Sequence, residues 1–319
     1  MCTAIWTAGE TPLFGRNLDL ERSLGEKVTI TPRHYVFQFG DGTVCERHEA
    51  IIGMAVVSRD CPLYFDAANE SGLYMAALSF PGEAHYREPQ GENELSPFEL
   101  IPRVLTSCRT VGEAVTLLTG RYLVDRPFSD EFPNQPLHWL LSDGERSVAI
   151  EPLPDGLHLY ENPFGVLTNS PAFPFHRWHV QLYRRLSPAE ESGILCTDPP
   201  YSKGMGAFGL PGDASSASRF VRATFNRQNA VFEGTVLDRV GQFFHLLDSV
   251  AQVKGCNRTR EGEEYTLYSS CYVPEKRTYY YTTYNNRQIT AVTLDESSLK
   301  GTIPRIFPLQ TTQKVYREH

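Results

Sequence analysis

Strand-like and helix-like segments come in blocks along this chain, and that grouping constrains the fold more than any other feature. Lys27-Val28-Thr29-Ile30-Thr31 alternates, and Tyr35 to Phe39 ends at a Gly40-Asp41-Gly42 turn, as short strands do. Ala50 to Val57 is apolar enough for a buried strand. Leu73 to Phe80 follows the turn-like Asn69-Glu70-Ser71-Gly72. Two helix starts come next: Ser96-Pro97-Phe98-Glu99, a capping box with proline at the first helical position, and Thr110-Val111-Gly112-Glu113, which leads into Ala114, Val115, Leu117 and Leu118. Pro102 is expected to end or kink the first helix. Residues 137–168 return to short strands separated by Asp143-Gly144 and Pro154-Asp155-Gly156. Helices are expected near 216–228 and 236–253. The second places Leu237, Val240, Phe244, Leu247 and Ala251 at helical spacing, with Thr235 and Asp238 at its start and Gly255 past its end. Tyr279 to Tyr284, an Asn285-Asn286 turn and Ile289 to Leu294 read as strands again.

The order is strands, helices, strands, helices, strands. Two sheets packed face to face with helices outside satisfy it, whereas a doubly wound parallel sheet needs stricter alternation. No repeat, low-complexity tract or Pro/Ser linker divides the 319 residues, so a single domain over 1–319 is expected.

The net charge of −8 argues against a general affinity for nucleic acid or anionic membrane, which needs basic stripes. No apolar run approaches the roughly 18 residues of a membrane span. Residues 1–20 carry Glu10, Arg16 and Asp19 and no apolar core of a signal peptide, so a cytoplasmic location is expected. Seven cysteines, an odd number without a CxxC pair, fit reduced thiols better than a disulfide framework or a zinc site. Six of them read as inert, partly buried thiols.

The seventh is Cys2. If Met1 is removed, Cys2 heads the chain, and one residue carries both a thiol nucleophile and a free α-amine to act as its base. Thirteen residues on begins Gly15-Arg16-Asn17-Leu18-Asp19, whose charges are the partners such a site needs. A thiol near pKa ~8.5 stays mostly protonated until a cation lowers it, and Arg16 can supply that cation.

Met1-Cys2-Thr3 with Phe14-Gly15-Arg16-Asn17-Leu18-Asp19 resembles the choloylglycine hydrolase family, which holds bile salt hydrolases and penicillin V acylases. So do Ile30-Thr31-Pro32-Arg33, Leu63 to Leu73, Gly165-Val166-Leu167-Thr168-Asn169-Ser170-Pro171, Gly209-Leu210-Pro211-Gly212-Asp213, Ser218-Arg219-Phe220-Val221-Arg222 and Tyr268-Ser269-Ser270-Cys271. The match runs from Met1 to about residue 295. The resemblance implies an N-terminal nucleophile hydrolase: an α+β, four-layer αββα sandwich of two antiparallel sheets flanked by helices. It also implies amide hydrolysis through a thioester, no cofactor and no metal, and a homo-oligomer, often a tetramer.

It assigns roles as well. Cys2 attacks, Arg16 supplies the cation, and Asp19 takes hydrogen bonds from the α-ammonium or thiol. Asn169 becomes an oxyanion donor, and Arg219 points into the site to hold the Cys2–Asp19 network. The backbone N–H of Ser79 is the second oxyanion donor, at a position where many family members carry asparagine. Conjugated bile acids are the expected substrates. Leu18, Leu20, Phe65 and the loop around Phe128 are candidates for an apolar steroid pocket. Lys203, within Tyr201-Ser202-Lys203-Gly204-Met205-Gly206, is a candidate for the glycine carboxylate or taurine sulfonate, with glycine conjugates slightly favoured. The rivals are penicillin V acylase or another N-acyl amidase, and an inactive binder of bile acids. A metal site at His176 and His179 lacks further ligands, and both read as surface histidines.

Overall fold

The computed structural model of the protein describes residues 1–9, 11–91, 93–189 and 203–318. Its strands are β1 (Cys2–Thr7), β2 (Leu13–Leu20), β3 (Lys27–Thr31), β4 (Ile51–Ser58), β5 (Cys61–Asn69), β6 (Tyr74–Ser79), β7 (Leu137–Ser142), β8 (Ser147–Leu153), β9 (Gly156–Glu161), β10 (Val166–Leu167), β11 (Tyr265–Val273), β12 (Thr278–Thr283), β13 (Asn286–Thr293) and β14 (Arg305–Phe307), beside a few two-residue ladders. The main helices are α1 (Leu100–Ser107), α2 (Val111–Leu118), α3 (Phe173–His179), α4 (Ser216–Asn229) and α5 (Val236–Asp248).

Two sheets result, antiparallel throughout. One has six strands in the order β10-β1-β2-β11-β12-β13, the other eight in the order β9-β8-β7-β6-β5-β4-β3-β14. Each sheet is apolar on both faces, so each needs two neighbours. Ile51, Ala55, Ala67, Met75, Trp139 and Ile150 pack the outer face of the eight-stranded sheet against Leu100, Val104 and Leu105 of α1 and Val111 and Leu118 of α2. Ile52, Met54, Ala76 and Leu140 from its other face join Ala4, Leu18 and Tyr268, and the same cluster takes in Phe220 of α4 and Phe243 and Leu247 of α5. This is the αββα sandwich that the element order allows.

Close approach within the six-stranded sheet depends on Gly15. A Cβ there would meet the Ser270 carbonyl oxygen at 1.9 Å, so only glycine lets β2 lie against β11.

Several local readings change. Of Tyr35 to Phe39, only Phe37–Gln38 forms strand, against Val44–Cys45. Pro102 neither ends nor kinks α1. It sits in the first turn, where its missing N–H has no intrahelical carbonyl to lose. At Thr110 the cap accepts from Glu113 N–H, but the Glu113 carboxylate takes the N–H of Arg109 instead of closing the box. The Thr235–Asp238 box does form. Beyond it, α5 buries Val240, Phe243, Phe244 and Leu247, while Leu237 in its first turn is 65% exposed and the helix stops before Ala251. Among the inert cysteines, Cys256 is exposed and not partly buried, and Cys196 lies outside the described residues. Burial pushes the Cys61 and Cys108 thiols up to about 11.

Candidate active site

The site grows from the β1–β2 hairpin. Register places Cys2 opposite Leu18 and Ala4 opposite Arg16, and residues two apart on a strand share a face. Cys2, Arg16, Leu18 and Leu20 therefore look toward the eight-stranded sheet. Thr3, Asn17 and Asp19 look the other way, and Asn17 Nδ2 donates to the Leu247 carbonyl of α5 at 2.8 Å.

Arg16 is fully buried and occupies the place where β5 and β6 part. Pairing there ends at Asp66–Ala76. The guanidinium donates to the carbonyls of Phe65 (3.2 Å) and Ala77, and its Nε to Asn17 O at 3.3 Å. Burial opposes its charge, but the side chains around it, Cys2, Tyr268, Asp66 and Tyr74, hold it above the usual guanidinium range. Phe65 and Leu20 are half-buried and pack on the cluster that contains Cys2 and Leu18.

Asn169 follows β10 and is fixed on both sides. Its N–H donates to Ser216 Oγ at 2.8 Å, and its carbonyl accepts from Ser216 Oγ and His176 Nε2, each at 2.9 Å. The side chain is a junction: Oδ1 accepts from the Cys2 N–H (2.9 Å) and Arg219 Nη2 (2.6 Å), while Nδ2 donates to Ser79 O (2.7 Å). Arg219 enters from the first turn of α4, which is capped by Ser215. It is fully buried, donates through Nη1 to Cys2 O and to Thr3 Oγ1 (2.6 Å), and through Nε to Ala214 O (2.9 Å). Burial pulls this guanidinium down from its usual value, and the charges of Asp19 and Cys2 oppose that.

Ser79 ends β6. Phe80 N–H donates to Pro136 O, and hydrogen-bonded pairs alternate with open ones in an antiparallel ladder. Ser79, opposite Leu137, therefore turns both its N–H and its C=O away from β7, on the side where Asn169 meets that carbonyl.

Asp19 lies on the other face of the hairpin. Its Oδ1 accepts from Thr266 Oγ1 at 2.6 Å, and neither the thiol nor the chain's ammonium reaches its carboxylate. The Met1 ammonium instead donates to the Asp19 main-chain carbonyl (2.9 Å) and pairs with Glu264. The reason is the strand's alternation, which sends the Asp19 side chain to the face opposite the thiol. Asp19 Oδ2 is buried with no hydrogen-bond partner among the described residues. Burial raises the Asp19 carboxyl, against the pull of Arg219 and the N-terminus. Arg219 thus binds Cys2 directly and reaches Asp19 only through space.

The Phe128 ring packs on Phe98 and Phe132 (5.4 and 6.3 Å between centroids), outside the cluster around Cys2. Lys203 is exposed, and its neighbours Tyr201 and Ser202 lie outside the described residues. His176 is no surface histidine: it is fully buried, stacks on Phe220 and donates to Asn169. Among the described residues no group of three or more His, Cys, Asp or Glu is placed to hold a metal ion. No helix there is long and apolar enough to cross a membrane.

The sequence reading missed Ser216, His176, Glu264 and Asp66. An acidic residue inside the apolar run Tyr64 to Ala68 was a visible sign for Asp66. The others carry no local signature.

Residues 2–307 match the family of linear amide C–N hydrolases, choloylglycine hydrolase family. The chain belongs to this family. It is 43% identical to a bile salt hydrolase/transferase of Lactiplantibacillus plantarum over 99% of both chains. It is 34% identical to a bile salt hydrolase/transferase of Clostridium perfringens over 94% of both. The crystal structure of the C2A mutant of the conjugated bile acid hydrolase from Clostridium perfringens superposes over all of both chains, with a TM-score of 0.92 at 31% identity. A penicillin V acylase from Agrobacterium tumefaciens shares the fold (TM-score 0.79, 19% identity, 97% of this chain and 92% of that one).

Proposed function

We propose that the protein, once Met1 is removed, hydrolyses the amide bond of glycine- or taurine-conjugated bile acids. The observation that carries the reading is the placement of Cys2, its side chain on the Arg16 face and its α-nitrogen on Asn169 Oδ1. One residue is thereby held at both its nucleophile and its base.

The neutral α-amine takes the thiol proton as sulfur attacks the amide carbonyl carbon, and Arg16 offsets the charge developing on sulfur. The oxyanion is met by Asn169 and Ser79. An amide group has two N–H bonds; Asn169 spends one on Ser79 O, and the second is the donor. The Ser79 N–H, on the same side as that carbonyl, is the other. The α-ammonium then gives its proton to the leaving glycine or taurine nitrogen, the C–N bond breaks, and a thioester remains. Water, losing a proton to the amine, releases the bile acid and restores the thiol. Asp19 Oδ2 is the acceptor for the Cys2 ammonium once Met1 no longer separates them. Arg219 positions the residue by clamping Cys2 O and Asn169 Oδ1.

Leu18, Leu20 and Phe65 form the apolar wall beside the thiol that a steroid nucleus needs, and Lys203 is the cation for the conjugate's anionic end, with glycine favoured. The loop around Phe128, with its ring contacts to Phe98 and Phe132, is proposed for the same pocket. The two relatives named as bile salt hydrolases support this substrate class over penicillin V. We further propose a cytoplasmic homo-oligomer, a tetramer by resemblance, which light scattering of the purified protein tests.

The function is tested by amine release from glycocholate, taurocholate and penicillin V, with Cys2→Ala as blank and mass spectrometry showing Met1 absent. Bile conjugates should be cleaved fastest. Cleavage of penicillin V alone moves the protein to the acylase reading, and no cleavage of any substrate sinks the hydrolase.

A further inference from the structure

One hydroxyl away from the Arg16 main chain, across Ser270, lies a carboxylate that the mechanism above does not use. Asp66 of β5 is fully buried between the two sheets. Its Oδ1 accepts from Tyr268 OH at 2.6 Å, and its Oδ2 from Tyr279 OH (2.7 Å), Ser270 Oγ (3.2 Å) and Tyr74 OH (3.3 Å). Ser270 Oγ also accepts the main-chain N–H of Arg16 at 3.3 Å, so its proton is directed at Asp66. Four hydroxyl donors on one carboxylate favour the ionised form, because a carboxyl proton would have only those same hydroxyls to go to. Burial pulls the other way and raises the Asp66 carboxyl, while Arg16 and the hydroxyls lower it. The three tyrosines are held well above their usual range by burial and by the Asp66 charge, and stay neutral donors.

The charged and titratable groups facing Asp66 are therefore Arg16 from β2, Tyr74 from β6, Tyr268 from β11 and Tyr279 from β12. Arg16 is the one cation among them. It is anchored independently by the carbonyls of Phe65, Ala77 and Asn17, so removing the Asp66 charge leaves the guanidinium in place.

We infer that Asp66 is a positioning residue that sets the strength of the field Arg16 presents to the Cys2 thiol. Arg16 shares the Cys2 face of the hairpin and is linked to Asp66 through Ser270, and Asp66 holds back part of the charge it offers to the forming thiolate. Nucleophilicity of a thiolate falls as the thiol becomes more acidic. A guanidinium without its counter-charge would make the thiolate plentiful but sluggish, and Asp66 keeps the sulfur reactive. This rests on the reading of Cys2 as the nucleophile.

The test is iodoacetamide alkylation of Cys2 as a function of pH, read by mass on the N-terminal peptide of the processed full-length protein. Asp66→Asn keeps the shape and removes the charge. Its alkylation midpoint should move down by about half a pH unit or more, as expected for one charge removed at this range through protein, and its plateau rate should fall. An unchanged or higher midpoint in folded Asp66→Asn overturns the inference, because loss of a merely structural bond would not lower it. If Asp66→Asn does not melt cooperatively, Tyr279→Phe and Tyr268→Phe decide. Each keeps the carboxylate and removes a hydroxyl dipole that neutralises it, so the midpoint should move up, and no movement or a fall in both overturns the inference. The probe contains no bile acid, so a protein that alkylates as expected yet cleaves no bile conjugate counts against the function above and leaves this inference standing.

Discussion

Asn169→Ala separates two tasks of one side chain, the junction seen in the structure and the proposed oxyanion role. The first is structural. Truncation strips a partner from the Cys2 nitrogen, from Arg219 Nη2 and from Ser79 O, bonds of 2.9, 2.6 and 2.7 Å. Arg219 and Cys2 are buried, so water does not simply replace what is lost. At ~1 kcal/mol or more for each group left unpaired, and more for the charged one, the cost is on the order of 3–5 kcal/mol. At about 2 °C per kcal/mol for a chain of this size, Tm should fall by ~6–10 °C.

The second task is catalytic. Loss of one oxyanion donor costs about 10²–10³ in kcat, or ~2.7–4 kcal/mol, and KM should change little, because the donor acts on charge that exists only in the transition state. Asn169→Asp divides the two effects. It keeps Oδ1 for Cys2 and Arg219 but has no N–H, so kcat should fall as far as in the alanine variant while Tm at neutral pH falls less. The measurements are steady-state cleavage of glycocholate and thermal melting by circular dichroism. A folded Asn169→Ala protein with kcat within tenfold of the parent would refute the oxyanion role, and an unchanged Tm would refute the junction.

Other consequences can be checked alongside. Burial lowers the amine at the head of the chain, and an α-amine on Cys2, one residue deeper, should feel the same penalty on its charged form. Its neutral, basic form then persists to lower pH, so the acid limb of kcat/KM should have its midpoint below the free-amine value of roughly 7.7–8.0; a midpoint above that range counts against the amine as base. Burial pushes His176 down to about 4, so unfolding takes up a proton between about pH 6.5 and 4 and stability declines as pH falls through that window. His176→Phe, which keeps the stacking on Phe220, should show a smaller loss of urea stability between pH 7 and pH 5 than the parent, and equal losses would exclude His176 as the cause. Ser79 is proposed to act through its main chain alone, so Ser79→Ala should leave kcat within about threefold while Ser79→Pro, which lacks the N–H, should lose ~10². Parity between those two variants would remove Ser79 from the oxyanion site.

Most of the fold was legible because it is written in local signals. The capping residues at Thr110 and Thr235 and the apolar runs of β4 and β6 each name an element or its end, and the turn expected at Asn285-Asn286 falls one residue earlier, at Tyr284-Asn285. What was hidden depends on contacts distant in sequence. Asn169 is held by Ser216, 47 residues on, and joined to Cys2 across 167 residues; no spacing rule connects them. His176 reads as a surface residue because its spacing to His179 lacks further ligands, yet it turns inward with Phe173, and both lie against Phe220. Pro102 was misjudged because a proline's effect depends on where the helix begins, and the turn from Pro97 to Glu99 moved that start.

Asp19 is the most instructive position, because it concerns faces and not partners. Gly-Arg-Asn-Leu-Asp places two charges three residues apart. On a helix that spacing would put them together, but on a strand it puts them on opposite sides. As β2 folds, Arg16 reaches the space between the sheets and Asp19 the side where α4 brings Arg219. The two therefore cannot both attend the thiol. In the proposed site Arg16 serves the sulfur end of Cys2, whereas Asp19, with Arg219 and Thr266, serves the main-chain end. A nucleophile that carries its own base needs both ends governed separately, one by a cation and one by acceptors for an ammonium. A single β-strand alongside Cys2 provides that division by alternation alone. The two positions should then fail differently. Arg16→Gln should shift the alkylation midpoint of Cys2 upward by about half a unit or more, since the cation nearest the sulfur is gone. Asp19→Asn should leave that midpoint nearly in place and move the acid limb of kcat/KM downward, because an ammonium without its carboxylate loses its proton more readily. The same shift in both variants, in either assay, would mean that the two charges act on one group and that the division drawn from β2 is wrong.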